Sequence, residues 1–175
     1  MNFKQVSILT LALIMMSFGL PKNILKKVNK EIKNVFNVET FIFNAKEIPS
    51  EITKKLPSEF GDDNFFKIEN NNQLLGYAYL AQASSKTANF DYLVLLDKNL
   101  VVLKAKVLMY REEYGGEIGS KRWLKQFIGK TQSDNLRYGD NIVAISGATI
   151  SVRSMTNAMN NLLQSLKIIH SKNIL

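Results

Sequence analysis

Residues 65–111 contain four apolar and aromatic runs separated by short polar turns, and this pattern constrains the fold more than any other part of the sequence. The runs are FFKIE, QLLGYAYLAQA, NFDYLVLLD and LVVLKAKVLMYR, and their composition is typical of strands in an antiparallel sheet. In the last run one face is predicted to carry Leu103, Ala105, Val107 and Met109, and the other face Lys104 and Lys106. Because side chains alternate across a strand, we expect one sheet face to contact a core and the other to contact solvent or a ligand.

Amphipathic helices are predicted on both sides of these strands in the sequence. Apolar residues recur at helical spacing from Ile24 to Phe36, with Pro21 where a first helical residue stands. A second, longer helix is predicted from Thr149 to about Ile169. One side of it is apolar (Met155, Met159, Leu162, Leu163, Leu166) and the other is polar (Arg153, Asn157, Asn160, Gln164).

Shorter elements complete the pattern. VETFIFNA has the composition of a strand, Pro49 and Ser50 suit a helix start, and IVAI is typical of a short strand or an extended entry to the last helix. Between the strands and that helix, three glycines (Gly115, Gly116, Gly119) predict a flexible loop, and Ser120 is positioned to cap a short helix. The order of elements predicts an α+β domain: an antiparallel sheet, a Gly-rich loop and a long C-terminal helix.

Composition excludes several kinds of chemistry. The 175 residues suffice for one domain with its own core. The chain has no cysteine, which excludes thiolate nucleophiles, disulfides and sulfur-ligated zinc. The single histidine, His170, argues against a His-based triad or a His-rich metal site, and we expect it to be exposed near a helix end. The net charge of +8 comes from lysines spread over most segments, so we expect a solvated basic surface and no nucleic-acid binding.

The N-terminal 20 residues have the features of a targeting segment. Lys4 precedes a mostly apolar run from Val6 to Leu20, which is short for a membrane span but suits a secretory signal. Lysines follow at once, and the positive-inside rule opposes their export. The sequence favours an exported protein with a signal peptide or membrane anchor at residues 1–20, and a buried core helix is the alternative. We expect the remainder to divide into residues 21–72 and a main domain over 73–170.

Small residues precede the long C-terminal helix at Ser146, Gly147, Ala148 and Thr149. The first N–H groups of a helix lack intrahelical partners and carry partial positive charge, so an anion is stabilised there. Gly147 and Ala148 would let a phosphate approach the backbone. The residues themselves leave two interpretations open: Ser or Thr as a simple N-cap, or an anion site with a presented hydroxyl.

The passage AISGATIS, residues 144–151, resembles the flavinylation motif of the FMN-binding domain family, found in the small flavin subunits of sodium-pumping NADH:quinone reductase and in exported flavoproteins. GYAYLAQ, the run from Leu93 to Glu112, and WLKQFIGK also resemble family segments, so that the likeness covers residues 73 to about 165. It implies FMN joined through its phosphate to Thr149 by a separate FAD:protein FMN transferase. It also implies electron transfer to redox partner proteins or a membrane electron transport complex.

The resemblance extends to a glutamate-glycine loop, EYGGEIGSK. Glu113, Gly116, Gly119 and Lys121 hold the family's places there, whereas Tyr114 and Gly115 replace its usual Thr-Pro pair. A second departure is Val143, which stands where the family commonly has an acidic residue; Asp140 is the nearest carboxylate upstream. If the transferase reads that acid, modification of Thr149 is expected to be slower here.

Several other residues have two interpretations. Trp123 and Tyr114 are candidates for stacking on the flavin ring, although Trp123 also fits an apolar core. Arg111, Glu112 and Glu113 form either part of the site or a solvated strand end. Arg153 is positioned to pair with the phosphodiester or is an idle surface residue.

The resemblance implies an electron-transfer flavoprotein. A self-contained enzyme is not expected, since no nucleophile and general base occur together. The flavoprotein is expected to be periplasmic, or tethered to the outer face of the cytoplasmic membrane. The alternatives are a module that binds a flavin or another phosphate ligand without a covalent bond, and a protein that binds anionic polymers. A turn at Tyr138 and Gly139 is predicted to close over the site.

Overall fold

The computed structural model describes residues 21–175, so the signal peptide or anchor predicted for residues 1–20 lies outside the described residues. The helices are α1 (Lys22–Phe36), α2 (Ser50–Thr53), α3 (Lys121–Leu124) and α4 (Thr149–Ser171). The strands are β1 (Ile42–Ala45), β2 (Phe65–Asn70), β3 (Gln73–Ser84), β4 (Asn89–Asp97) and β5 (Val102–Met109). Single 3-10 turns at Gly116–Gly119 and Lys125–Phe127 flank α3. The predicted α+β class is confirmed.

The five strands form one antiparallel meander in the order β1-β2-β3-β4-β5. The β2–β3 hairpin closes at the pair Asn70 and Gln73. Its two turn residues, Asn71 and Asn72, have φ angles of 49° and 61°. Asparagine tolerates this left-handed region better than other residues with a side chain, and two such residues in succession match the twist of a hairpin. Through β1 and β2, residues 42–45 and 65–70 extend the same sheet that β3 to β5 form.

Both faces of the sheet are covered. On one face, α4 packs with its apolar side, including Met155, Met159 and Leu162, on residues such as Tyr92 and Val94. On the other face, α1 packs on the sheet through three buried residues, Ile24, Val28 and Ile32. The expectation that one face contacts solvent or a ligand is therefore wrong.

The two lysines of β5 explain why that expectation failed. Lys104 and Lys106 do lie on the face opposite Ala105, but their ammonium groups are each 3.8 Å from the carboxylate of Glu31 on α1. The two lysines therefore mark ion pairs beneath α1 and not a sheet face open to solvent or a ligand. Met109 lies on the α1 side with Leu108, because the pairing of β4 and β5 shifts register between Asp91 and Tyr92.

Element ends differ from the prediction in three places. Pro21 stands at the N-cap of α1 rather than at its first helical position. Helix α4 ends at Ser171, with the exposed His170 in its last turn as expected. The IVAI passage forms no strand; Tyr138 and Ile142 make an isolated parallel bridge.

Candidate functional site

The start of α4 has unused backbone donors. Ala148 occupies the N-cap position with φ −121°, and no side chain caps the helix. Val152 donates to the Ala148 carbonyl at 2.9 Å, whereas the N–H groups of Thr149, Ile150 and Ser151 donate to no residue of the described chain. The interpretation of this passage as a simple side-chain cap is therefore wrong.

Two hydroxyls and a glycine lie on the surface beside these donors. The side chains of Ser146 and Thr149 are exposed, and neither hydroxyl has a hydrogen-bond partner within residues 21–175. Gly147 has φ +79°, a conformation that a residue with a side chain adopts only at a cost, yet a Cβ there would meet no atom within 4 Å. Gly147 is thus required by its backbone conformation, and the space beside it is open.

Ala148 joins this passage to the Gly-rich loop. Its side chain is buried, with 3% exposed. Gly115 lies directly against it, because a Cβ on Gly115 would be 3.5 Å from the Ala148 Cβ and 2.7 Å from the Tyr110 hydroxyl. That hydroxyl is in turn 3.0 Å from the Ser151 hydroxyl in the first turn of α4. The structure therefore brings the loop and the Ser146–Thr149 passage together, as the resemblance implies.

The φ angle of +83° at Gly115 also explains a departure from the family motif. Proline fixes φ near −65°, so a proline in this place would require a different loop. The sequence did not point to the contact between Tyr110 and Ser151. The one signal that could have indicated it is Ser151, a polar residue on the apolar side of α4.

Val143 is held through its backbone and leaves its side chain free. The Trp123 indole N–H donates to the Val143 carbonyl at 2.8 Å, and the Val143 N–H donates to the Gln126 side-chain oxygen at 2.7 Å. The Val143 side chain is 65% exposed. Trp123 is only 5% exposed and packs edge-on against Phe127. Trp123 is therefore a core residue, and it offers no face for flavin stacking.

Glu112, which comes just before the loop, accepts four hydrogen bonds through one carboxylate oxygen. One of its oxygens lies 2.5 Å from the Ser85 hydroxyl and accepts from the N–H groups of Thr87 and Ala88 at 2.6 and 3.0 Å. The Ser85 hydroxyl and the Thr87 N–H, the two largest causes, lower the pKa of Glu112 to about 2. We call this arrangement, residues 85–88 with Glu112, the Glu112 turn.

Its neighbour Arg111 pairs with Asp91 at 2.6 Å. Arg111 and Glu112 therefore bond to the β3–β4 turn and the end of the sheet, and Arg111 remains exposed as expected of a solvated strand end. Glu113 is exposed.

The remaining predicted site residues divide between two surfaces. Arg153 lies one turn after Thr149, with its guanidinium 4.7 Å from the centre of the Tyr138 ring, in the turn where Gly139 has φ +79°. Gly116 lies beside Tyr110, since a Cβ on Gly116 would be 3.8 Å from the Tyr110 ring. Gly119 and Lys121 instead line a groove of about 230 Å³ beside β5 that contains no residue of the passage 143–150.

Three exposed apolar side chains belong to the passage 143–150 or to the Gly-rich loop that contacts it. Tyr114, Val143 and Ile150 are 77%, 65% and 50% exposed, and they are three of the five large apolar residues that stand out as exposed in the described chain. Val143 and Ile150 flank the Ser146–Thr149 passage, and Tyr114 lies in the loop that contacts Ala148. We call these three residues the apolar rim.

Within residues 21–175 no group of His, Asp and Glu is arranged to hold a metal ion. None of the helices in that range has the length and apolar character needed to cross a bilayer. A cleft of about 600 Å³ is lined by residues such as Tyr79, Tyr92 and Arg111, and it contains no residue of the passage 143–150.

Comparison with known proteins agrees with the motifs. Residues 87–164 match the family model of the FMN-binding domain, which confirms the resemblance and supports FMN binding by this part of the chain. The crystal structure of Shewanella oneidensis NqrC superposes with a TM-score of 0.59 at 13% identity, over 86% of this chain and 98% of that chain; this likeness shows a shared fold. No curated protein sequence matches the chain.

Proposed function

Since residues 87–164 match the FMN-binding domain, we propose that the protein carries electrons through FMN joined by a phosphodiester to Thr149. The observation that carries this proposal is the exposed, unbonded Thr149 hydroxyl at the start of a 23-residue helix whose first three N–H groups have no acceptor in the described chain. A structural N-cap would be a residue such as Ser, Thr, Asn or Asp whose side chain accepts from these N–H groups, and Ala148 at that position has no such side chain.

The surroundings of Thr149 fit a phosphodiester. The helix dipole and the free N–H groups of Thr149, Ile150 and Ser151 stabilise a single negative charge. The open space beside Gly147 leaves room for phosphate oxygens. Arg153 forms no ion pair with a carboxylate of the described chain, so its guanidinium is free to pair with the phosphate.

Attachment requires a second protein to reach the hydroxyl. The donor is FAD, and the catalyst is an FAD:protein FMN transferase. The Thr149 oxygen loses its proton and forms a bond to the phosphorus of the FMN half, while the phosphoanhydride bond of FAD breaks and AMP leaves. The exposed position of Thr149 gives this enzyme access without unfolding the domain.

The site suits a relay between proteins. Bound FMN supplies the redox chemistry, while the chain supplies its position and the contacts of its partners. The apolar rim gives a partner an exposed apolar surface next to the cofactor, and such patches commonly mark protein contacts. We propose redox proteins or a membrane electron transport complex as partners, in line with the fold shared with NqrC.

The site of action follows from the N-terminal sequence. We propose that the protein is exported and is periplasmic or tethered to the outer face of the cytoplasmic membrane, because Lys4 and the apolar run from Val6 to Leu20 have the features of a signal or anchor. A covalent bond keeps the flavin on a protein that works outside the cytoplasm.

Co-expression with a flavin transferase and an intact mass under denaturing conditions test the attachment. The wild type should gain one FMN, Thr149→Ala should gain none, and Thr40→Ala, a matched change of an exposed threonine outside the motif, should still be modified. An unmodified wild type that releases FMN on denaturation would instead indicate the non-covalent module. An adduct that persists in Thr149→Ala would contradict attachment at this residue.

A further inference from the structure

The outer side of α1 carries a continuous stripe of lysines. Lys22, Lys26, Lys30 and Lys33 are all exposed and line one shallow groove along the helix. Residues three or four apart lie on the same side of a helix. We call these four residues the lysine stripe; at the rise of an α-helix it is about 16 Å long.

The charges of the stripe are hardly neutralised. The acidic residue of α1, Glu31, faces Lys104 and Lys106 in the sheet, and Lys27 donates to the Leu108 carbonyl. Within the described chain, Lys33 alone of the stripe has an ion partner, Glu39 at 3.6 Å. The Glu39 side chain is 97% exposed, so this pair contributes little. Like charges one turn apart are unfavourable in a helix without a partner of opposite charge.

The stripe begins directly after the apolar run. Val6 to Leu20 precede it in sequence, and Lys22 is its first residue. An apolar segment that enters a lipid phase would hold the stripe at the lipid surface. There each lysine near anionic headgroups contributes about 1 kcal/mol of attraction.

We propose that the lysine stripe binds the surface of an anionic phospholipid membrane, with α1 lying on the headgroups. Long, flexible lysine side chains suit such a contact, because each ammonium reaches a phosphate without fixed geometry. Helix α4 packs on the opposite face of the sheet from α1, so the helix that begins at Thr149 lies on the side away from the lipid. This inference is independent of the flavin.

The test is binding of the full-length protein to phosphatidylcholine vesicles with and without phosphatidylglycerol. The stripe variant carries Lys→Gln at all four positions. Its matched control removes the same charge from four other exposed lysines, Lys54, Lys55, Lys86 and Lys98. Binding to the neutral vesicles reports the apolar run, and the increase caused by phosphatidylglycerol reports the stripe.

The increase should fall about 100-fold or more in the stripe variant, as expected for four lysines at a charged surface, and salt should suppress it in the wild type. The control variant should stay close to the wild type. An equal loss in both variants would show an effect of net charge alone, and no increase in the wild type would show that the stripe has a different partner, such as an acidic protein. Either result overturns the proposal. Circular dichroism verifies that both variants are folded.

A second measurement reports which side faces the lipid. The chain has no cysteine, so single nitroxide labels can be placed at Asn34→Cys, which lines the groove of the stripe, and at Asn157→Cys on the exposed side of α4. Anionic vesicles should shield the label at position 34 from a water-soluble relaxation agent and leave the label at 157 accessible. Equal shielding of both labels, or shielding at 157 alone, contradicts the proposed orientation.

Discussion

The Glu112 turn and the passage 143–150 lie on either side of the Gly-rich loop, and they use their polar groups in opposite ways. In the Glu112 turn, the carboxylate receives donors from Ser85, Thr87 and Ala88. In the passage 143–150, two hydroxyls are exposed, and the helix that starts within it has three N–H groups without an acceptor in the described chain. The first region has its hydrogen bonds satisfied within the fold, whereas the second presents unsatisfied groups to the surface. Unfilled bonding capacity, not polarity alone, distinguishes a site from a structural cluster.

The largest effect on stability is expected at the glycine that joins the two regions. Gly115→Ala places a Cβ 2.7 Å from the Tyr110 hydroxyl at φ +83°. The left-handed conformation costs about 1–2 kcal/mol, and moving Tyr110 breaks its bond to Ser151, which is worth about 1 kcal/mol. Urea unfolding should therefore show a loss of about 2–3 kcal/mol.

Gly147→Ala is the matched control for that experiment. Its φ of +79° is similar, but the added Cβ meets no atom within 4 Å, so a loss of about 1–2 kcal/mol is expected. If both substitutions cost the same, the hydrogen bond between Tyr110 and Ser151 contributes nothing to stability.

Glu112→Gln should give an effect that depends on pH. The pKa of Glu112 is lowered from 4.5 to about 2 in the fold, so the folded state favours the carboxylate. Its contribution to stability is complete above the unfolded value of 4.5 and is lost as the pH falls toward 2. The difference in urea midpoint between the wild type and Glu112→Gln should be largest at neutral pH and should shrink through that acidic window. A difference that stays constant with pH would show that the charge of Glu112 is not what the turn uses.

The smallest effect on stability is expected at Val143, where the fold uses the backbone and not the side chain. Val143→Asp restores the acid that the family motif commonly has, at a side chain that is 65% exposed. The free energy of unfolding should change by less than about 0.5 kcal/mol. The transferase should incorporate FMN into Val143→Asp at a higher rate than into the wild type, as measured by a time course. Val143→Asn is the uncharged control. Equal rates in all three proteins would show that the transferase does not recognise an acidic residue at position 143.

Local patterns predicted most of the elements. Alternation in β3 to β5, the helical spacing in α1 and α4, and the Ser120 cap of α3 are all signals carried by neighbouring residues, and the structure contains each of them. The covering of the second sheet face by α1 depends on contacts between distant parts of the chain. The strand pattern therefore predicts contact with solvent or a ligand on the face of Lys104 and Lys106, although Glu31 lies against them.

The candidate site shows the same division. The motif around Thr149 marks the residue, but the choice between a cap and a free hydroxyl depends on the backbone angles at Ala148. The engagement of Glu112 depends on donors more than 20 residues away in the chain. The sequence leaves two environments open for Trp123. Its place in the core depends on distant contacts, such as the hydrogen bond that its indole N–H donates to the Val143 carbonyl.

The central claim, a phosphodiester at Thr149, is tested most directly by locating the flavin on the chain. Trypsin releases residues 138–153, YGDNIVAISGATISVR, as one peptide, because Arg137 and Arg153 bound it with no lysine or arginine between. Fragmentation of this peptide from the flavinylated protein should place the FMN mass on Thr149, with Ser146 and Ser151 unmodified. Flavin on either serine, or on any other peptide, would contradict the account.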